Sequence, residues 1–310
     1  MKTGLGLVFL MDSVDIGILR ALGENCRASY QEMGRNLGMT ANAVKKRVNK
    51  LVESGTIHNF VVYLSPEMAD IEFYLAIVNT VGIGIEEKVL EKVVEDPHVF
   101  STGRLSDGNC IVFAEYEGSE NESKFEQFLQ EIDGITGVEI HNLLSPRGKK
   151  VDFKPLQIRV LRCLVEDPRI AATEIATKTG LTPRRVRRII KELLEGGGLN
   201  FVARLNLNAG PGIIYYAQIV WNKDRATHTE VEYWLDKEFA GEYFDSHISA
   251  SAPMMLSLFV VEHLRDVELL SMKISQGPMI ESVKAIFPFP TKKNVRLQRS
   301  KLEQLLNAFG

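Results

Sequence analysis

Positively charged side chains crowd one short stretch of the chain, LTPRRVRRIIKELLEGG, at residues 181–197. Its cations, with no acid among residues 183–191, are Arg184, Arg185, Arg187, Arg188 and Lys191. Side chains of this kind bind polyanions, because arginine can hold guanine through two hydrogen bonds and lysine neutralises phosphate. The whole chain carries a net charge of −3, so this positive charge is a local feature.

A second basic stretch lies at residues 41–51, again without an acid, and contains Lys45, Lys46, Arg47 and Lys50. Without these two stretches, 28 of the 37 lysines and arginines remain against 40 acids, so the rest of the chain is near −12. Two basic islands on an acidic body indicate a polyanion that is contacted locally. The alternative is an ordinary solvated helix face. Such faces usually mix charge signs, because like charges four residues apart destabilise a helix.

The two basic stretches belong to an internal repeat with an offset of 142 residues. Residues 15–55 align without a gap with residues 157–197, and the same offset places Tyr74 on Tyr216. A period above 100 residues indicates a duplicated two-part unit rather than a solenoid.

The first part of each repeat is predicted to form three short helices. Gly38 and Gly180 can end the second helix in the left-handed conformation, and Thr40 and Thr182 then stand where the third helix needs an N-cap. A small residue four positions before each glycine lets the second and third helices cross closely. This combination is typical of a helix-turn-helix. The apolar-polar stretches TIHNFVVYL and GLNFVARLNL that follow predict two-stranded wings.

The helical periodicity predicts which side chains of the third helices point away from the core. The apolar stripe is centred on Val44 and Val48 in the first copy, with Val186 and Ile190 as counterparts. A major groove admits one helix, in which arginine recognises guanine and asparagine recognises adenine. The predicted DNA-binding residues are Thr40, Asn42, Lys45, Lys46, Asn49, Lys50, Thr182, Arg184, Arg185, Arg187, Arg188 and Lys191.

The second part of each repeat alternates strands with helices. In the first copy we expect strands near 74–81, 110–117 and 137–144, with helices near 86–95 and 122–132. The second copy repeats this order as far as a strand near 279–287. The order is βαββαβ. The predicted fold class is therefore α+β: two tandem units, each a winged helix-turn-helix followed by a βαββαβ ferredoxin-like domain.

The stretch MDSVDIGILRALGENCRASYQEMGRNLGMTANAVKKRVNKLVESGTI, followed by βαββαβ, resembles the Lrp/AsnC (feast/famine) family of transcription regulators. The resemblance covers residues 11–145 and, more weakly, 155–290, and indicates a tandem-duplicated archaeal form. It implies a sequence-specific regulator that binds double-stranded DNA and is not an enzyme. Single-copy members dimerise through the ferredoxin-like domain, and that domain also binds a small-molecule effector, often an amino acid.

The resemblance also implies an effector site. In the family a glycine and an aspartate precede the third strand, and TGRLSDGNCIVF matches this pattern through Gly103 and Asp107, in a longer loop. The second copy has SHISASAPMMLSL there, with neither residue. The alternative is that Gly103 and Asp107 simply form a turn.

These observations predict the following domain organisation, and a homodimer of the whole chain. The segments are an N-terminal extension (1–10), a first winged helix-turn-helix (11–68), a first ferredoxin-like domain (69–148), a second winged helix-turn-helix (149–208), a second ferredoxin-like domain (209–290) and a C-terminal helix (291–310).

The sequence contains no apolar run near the roughly 18 residues that a bilayer span needs. Its three cysteines lie far apart, which predicts a protein of the reducing cytoplasm. The six histidines show no ligand spacing, so we expect no metal site, no cofactor and no catalytic residues. One alternative is a siroheme decarboxylase-like enzyme, which resembles this family and surrounds an acidic tetrapyrrole with basic and histidine residues. Another is an amino-acid sensor with degenerate DNA binding.

Overall fold

The computed structural model of the protein describes residues 11–82, 84–118 and 121–309, so the predicted extension at residues 1–10 lies outside the described residues. The chain divides into two compact units. The first unit runs up to Asn59 and adds 203–248 and 253–287; the second holds 60–202, 249–252 and the segment from Pro288 onwards. Each unit therefore combines the helix-turn-helix of one repeat with the ferredoxin-like domain of the other.

The first repeat begins with a helix-turn-helix and continues into alternating strands and helices. Its elements are α1 (Ser13–Glu24), α2 (Tyr30–Asn36), α3 (Ala41–Glu53), β1 (Ile57–Leu64), α4 (Pro66–Ala69), β2 (Ile71–Thr80), α5 (Glu86–Val93), β3 (Val99–Leu105), β4 (Cys110–Glu117), α6 (Glu122–Gln130) and β5 (Ile135–Asn142). We call α1–α3 the first head.

The second repeat follows the same order and ends with an additional strand and helix. Its elements are α7 (Pro155–Glu166), α8 (Ala172–Thr179), α9 (Pro183–Glu195), β6 (Leu199–Leu205), β7 (Ile213–Trp221), α10 (His228–Glu238), β8 (Tyr243–Ile248), β9 (Met254–Val261), α11 (Leu264–Ser275), β10 (Ile280–Ile286), β11 (Pro288–Lys293) and α12 (Leu297–Ala308). We call α7–α9 the second head. No helix among the described residues is both long enough and apolar enough to cross a membrane.

The start of each third helix is fixed by the predicted threonine cap. The Thr40 hydroxyl accepts a hydrogen bond from the Ala43 amide at 3.2 Å, and the Thr182 hydroxyl accepts one from the Arg185 amide at 3.3 Å. Each bond satisfies an amide that has no partner within the helix, which is worth about 1 kcal/mol. The caps therefore set where the exposed side chains of α3 and α9 begin.

The turns before these helices also follow the prediction. Gly38 and Gly180 have φ angles of +66° and +68°, in the left-handed region that favours glycine. A Cβ atom at Gly34 would lie 2.5 Å from the carbonyl oxygen of Met39. Only a residue without a side chain fits there, so α2 and the turn into α3 can lie in close contact.

The wings differ in detail from the prediction. Each is a single strand rather than a hairpin, and the two strands, β1 and β6, pair with each other as a two-stranded sheet. The physical reason is local: neither TIHNFVVYL nor GLNFVARLNL has a glycine or Asn-Gly pair in its interior from which to form a tight hairpin.

Both ferredoxin-like domains have the expected antiparallel sheet. The strand order in the first unit is β10-β7-β9-β8. In the second unit it is β5-β2-β4-β3, with β11 as a fifth strand beside β3. Two helices pack on each sheet: α10 and α11 share one core with Tyr215 and Phe259, and α5 and α6 share another with Tyr74 and Tyr116.

The C-terminal segment corrects one prediction. Residues 291–293, predicted as part of the C-terminal helix, belong to strand β11, and α12 begins only at Leu297. Strand β11 pairs antiparallel with β3, with Pro288 opposite Leu105 and Pro290 opposite Gly103. Prolines cannot donate to a ladder and are tolerated in edge strands, which is the position that β11 occupies.

A buried ion pair holds the C-terminal segment to the sheet. Glu115 on β4 is fully buried, and its carboxylate accepts hydrogen bonds from the Arg296 guanidinium and, at 3.2 Å, from the Gln298 amide. The guanidinium carbon of Arg296 lies 4.3 Å from the centroid of the Phe100 ring. A buried carboxylate without a partner is very costly, so β4 and the C-terminal segment stabilise each other.

We predict that Arg296→Met lowers the free energy of unfolding by about 3–5 kcal/mol, because it leaves the Glu115 charge buried and unpaired. The double variant Glu115→Gln/Arg296→Met should lose clearly less than the single variant, since the charge is removed as well. Urea unfolding followed by circular dichroism measures both. The control is Lys92→Ala, which breaks an exposed pair with Glu95 and should change stability by about 1 kcal/mol at most. Equal losses in the single and double variants would contradict the ion-pair explanation.

Candidate nucleic-acid interface

All of the predicted DNA-binding residues are exposed in the structure. The opposite face of each third helix is buried. In α3 it consists of Val44, Val48 and Leu51, and in α9 of Val186, Ile189, Ile190 and Leu193. Val52, expected in the buried stripe of α3, is 45% exposed, because the stripe follows a straighter course along the helix. Both heads therefore present a continuous polar face.

The second head has the more strongly basic face. Arg184 lies in the first turn of α9, opposite the buried stripe, and no ion pair of Arg184, Arg185 or Arg187 is found among the described residues. Two other cations have acidic partners one turn further along the helix: Arg188 contacts Glu192 at 3.4 Å and Lys191 contacts Glu195 at 3.7 Å.

These two pairs relieve part of the repulsion between like charges on α9 that the sequence suggested. The side chains of Arg188 and Lys191 are 67% and 72% exposed. Exposed pairs at this spacing are worth only about 0.3–0.5 kcal/mol. A phosphate group could therefore take the place of either carboxylate at little cost.

The first head offers a different set of donors. Asn42, Lys46 and Asn49 lie on the exposed side of α3, and Lys45 lies at its edge. Asparagine side chains carry both a donor and an acceptor, whereas the second head has arginines and a lysine in the matching positions. The two heads therefore differ in the chemistry that they can read.

Arg47 belongs to the first basic stretch but points toward the core of the first head. Its Nη1 donates to Asp12 at 2.8 Å and to Asp15 at 2.9 Å, and the Asp15 side chain is fully buried. On the helical wheel Arg47 lies beside the buried stripe, so its absence from the predicted site agrees with the structure. The partners are 32 and 35 residues away, beyond the reach of any local pattern.

The environment divides this cluster into two kinds of carboxylate. Burial raises the pKa of Asp12, but hydrogen bonds from the Asp15 amide and from Arg47 outweigh it and leave the pKa below its usual range. At Asp15 burial prevails over the Arg47 hydrogen bond, and the pKa is raised. Arg47 is desolvated too, but its hydrogen bonds to Asp15 and Asp12 raise its pKa. Arg47 thus compensates the buried charge at the base of the head.

Each head is anchored within its own unit. In the first unit, Arg20 of α1 forms a 2.5 Å ion pair with Asp236 of α10 and lies over the ring of Tyr243 at 5.4 Å. In the second unit, Arg162 of α7 donates to the carbonyl of Leu306 at 2.9 Å. These contacts connect each DNA-reading surface to a ferredoxin-like domain.

The predicted effector residues are not both in a loop. Gly103 lies inside strand β3, where it pairs with Ile111 of β4 on one side and Pro290 of β11 on the other. Asp107 lies in the short turn that follows, and its carboxylate accepts hydrogen bonds from the amide and side chain of Asn109 at 3.1 and 3.2 Å. The long loop expected before β4 is thus mostly strand. The sequence pattern missed this because β11, the strand that covers β3, lies far away in the chain.

Two exposed basic third helices on helix-turn-helix scaffolds define a protein of the DNA-binding class. The AsnC-type helix-turn-helix domain model matches residues 11–52, and a model of winged helix-turn-helix DNA-binding domains matches residues 154–197.

Known relatives identify the family. An uncharacterised HTH-type transcriptional regulator of Pyrococcus horikoshii is 30% identical over 139 residues, which cover 44% of this chain and 87% of the relative. A counterpart in Pyrococcus abyssi is 32% identical over 143 residues, with the same coverage of both chains. The chain belongs to the Lrp/AsnC family of transcriptional regulators.

One solved structure resembles nearly the whole chain. The siroheme decarboxylase NirDL superposes with a TM-score of 0.55, covering 96% of this chain and 99% of its own, at 16% sequence identity. At this level of identity the likeness shows a shared fold.

We predict that Arg47→Ala lowers the free energy of unfolding by about 3 kcal/mol, because Asp15 is then left buried without its cation. Lys46→Ala, one residue away on the exposed face, should change it by about 0.5 kcal/mol or less. Both tryptophans, Trp221 and Trp234, lie in the unit that contains the first head, so tryptophan fluorescence during urea unfolding reports on this unit. A similar loss in both variants would show that Arg47 has no special structural role.

Proposed function

We propose that this transcriptional regulator reads two unlike DNA half-sites, one with each head. The observation that carries the proposal is the agreement between the heads: each presents a capped third helix whose exposed face is basic or amide-bearing and whose other face is buried. An acidic chain with positive charge concentrated on those two faces directs DNA to them.

The contacts divide by position on the helix. Side chains opposite the buried stripe reach the base edges, and side chains at its flanks reach the phosphates. In the proposal Asn42, Lys46, Asn49, Arg184, Arg188 and Lys191 face the groove. The flanking residues Lys45, Lys50, Arg185 and Arg187, and the caps Thr40 and Thr182, contact the backbone.

Regulation and assembly follow the family pattern in this proposal. A small-molecule effector such as an amino acid binds the first ferredoxin-like domain near the turn of Asp107, the more accessible of the two predicted effector residues. The chain works in the cytoplasm as a homodimer, so an operator would hold a palindrome of asymmetric halves, spaced by whole helical turns of about 10 base pairs.

The second candidate is a tetrapyrrole enzyme of the siroheme decarboxylase kind. The near full-length likeness in fold to NirDL favours it. It would require basic and histidine side chains at a tetrapyrrole site, whereas the strongest basic clusters of this chain lie on the third helices. A tetrapyrrole absorbance that copurifies with the protein and is lost on substitution of its histidines would reverse the ranking.

Because the proposed contacts neutralise several phosphates, we predict that affinity for a promoter fragment falls about tenfold or more between about 50 and 200 mM salt. Fluorescence anisotropy at several salt concentrations measures the slope. Replacing Lys45 by Ala should make the slope shallower by about one phosphate contact. An affinity that does not respond to salt would contradict an electrostatic interface on these helices.

Arg184 and Arg187 make a matched pair for separating base reading from phosphate binding. Arg184→Ala should cost about 1–3 kcal/mol on the preferred operator and relax the preference at one base position. Arg187→Ala should weaken all sequences by a similar factor. A binding selection on randomised operators shows the difference. If Arg184→Ala weakens every sequence equally, the groove assignment is wrong.

A further inference from the structure

The helices of the second ferredoxin-like domain carry apolar side chains on their solvent side. On α11, Leu269 and Met272 are 55% and 53% exposed, and on α10 Tyr233 is 68% exposed. The core side of α11 is formed instead by Val267, Leu270 and Ile274. Leu269 and Met272 therefore project directly away from the sheet.

The first ferredoxin-like domain shows that the fold does not require this. Its equivalent helix, α6, exposes only polar side chains, and its buried positions are Phe125 and Leu129. The exposed positions of α5 are likewise charged. The same architecture thus has a polar outer surface in one repeat and an apolar one in the other, which marks the apolar one as a candidate contact surface.

Charges on α11 indicate what covers this surface. Glu268 and Lys273 are exposed and lie on either side of Leu269 and Met272. They are five positions apart, so they do not face each other within the helix. When two copies of α11 lie antiparallel with Leu269 of one against Met272 of the other, the same register places Glu268 of each copy opposite Lys273 of its partner.

We propose that a second copy of this chain docks on this surface, α11 against α11, about a two-fold axis. The surface is self-complementary: apolar side chains meet at its centre, and a reciprocal pair of opposite charges lies on each side. A two-fold contact requires this property, because each residue must fit the partner's version of the same surface.

The contact is small but suited to a reversible dimer. The twelve residues of α11 span about 18 Å, and the axis falls near the middle of the helix, so its whole length is used. Tyr233 on the neighbouring α10 widens the apolar area. A helix pair of this size buries less than the roughly 800 Å² per partner of a standard interface, so association depends on concentration.

This inference gives the homodimer of the proposed function its surface, but its test needs no DNA. Analytical ultracentrifugation of the full chain, from low micromolar to submillimolar concentration, measures the dimerisation constant. Glu268→Lys should weaken dimerisation at least about tenfold, because it places like charges opposite each other twice. Lys273→Glu should do the same. The double variant Glu268→Lys/Lys273→Glu should restore the constant of the unmodified chain.

Leu269→Asp should abolish the dimer by placing a charge at the centre of the apolar contact. Two matched controls should leave it unchanged: Lys124→Glu on the equivalent helix α6, and Val81→Asp, which changes a valine that is 63% exposed elsewhere. Thermal melts should be the same for all variants, since every altered side chain is exposed.

Three results would overturn the proposal. The unmodified chain could remain a monomer throughout the concentration range. The dimer could survive both Glu268→Lys and Leu269→Asp. The double charge swap could fail to restore what the single changes lose, which would exclude the antiparallel register. Binding of a promoter fragment by Leu269→Asp is measured separately, so a failure of DNA recognition is distinguished from a failure of this interface.

Discussion

A single buried charge, the carboxylate of Glu115, constrains how the second unit can be built. It is fully buried on the central strand β4, where only a cation and hydrogen-bond donors make it tolerable. Arg296 and the Gln298 amide supply them from a segment some 180 residues away. Once Arg296 is in place, β11 is aligned beside β3, and α12 follows with Gln298 bonded to the Leu64 carbonyl and Leu306 bonded to the second head. The edge of the sheet, the last helix and the anchoring of α7 thus share one electrostatic origin.

Duplication of the sequence has not produced duplication of the contacts. Each head belongs to the same compact unit as the ferredoxin-like domain of the other repeat. The anchors are different chemical groups: an exposed ion pair between Arg20 and Asp236 in one unit, and a bond from Arg162 to a backbone carbonyl in the other. Because the anchors differ, the two heads can diverge separately, and their outer faces have done so. A change in the effector-type domain of one repeat acts first on the head of the other.

Short-range signals in the sequence predicted the heads well. Capping threonines, left-handed glycines and the apolar stripe act over a few residues, so Thr40, Gly38 and Val44 could be assigned without the structure. The βαββαβ order was also predictable, because its strands alternate regularly with amphipathic helices. The sequence could not show contacts that depend on distant segments: β11 beside β3, the pairing of β1 with β6, and Arg47 turned toward Asp15. Gly103 illustrates the difference, since its strand can be recognised only with β11 in place.

The discontinuous composition of both units has a consequence for synthesis. The first head leaves the ribosome long before residues 203–287, with which it shares a compact unit. At about 5–20 residues per second, that delay is on the order of ten seconds. The three helices can form during this time from their own local contacts, but the surface that receives Arg20 does not yet exist. Strand β3 likewise presents an open edge until β11 is made, and open edges invite pairing with other chains. The nascent protein therefore depends on chaperones, or on rapid completion, more than its modest size suggests.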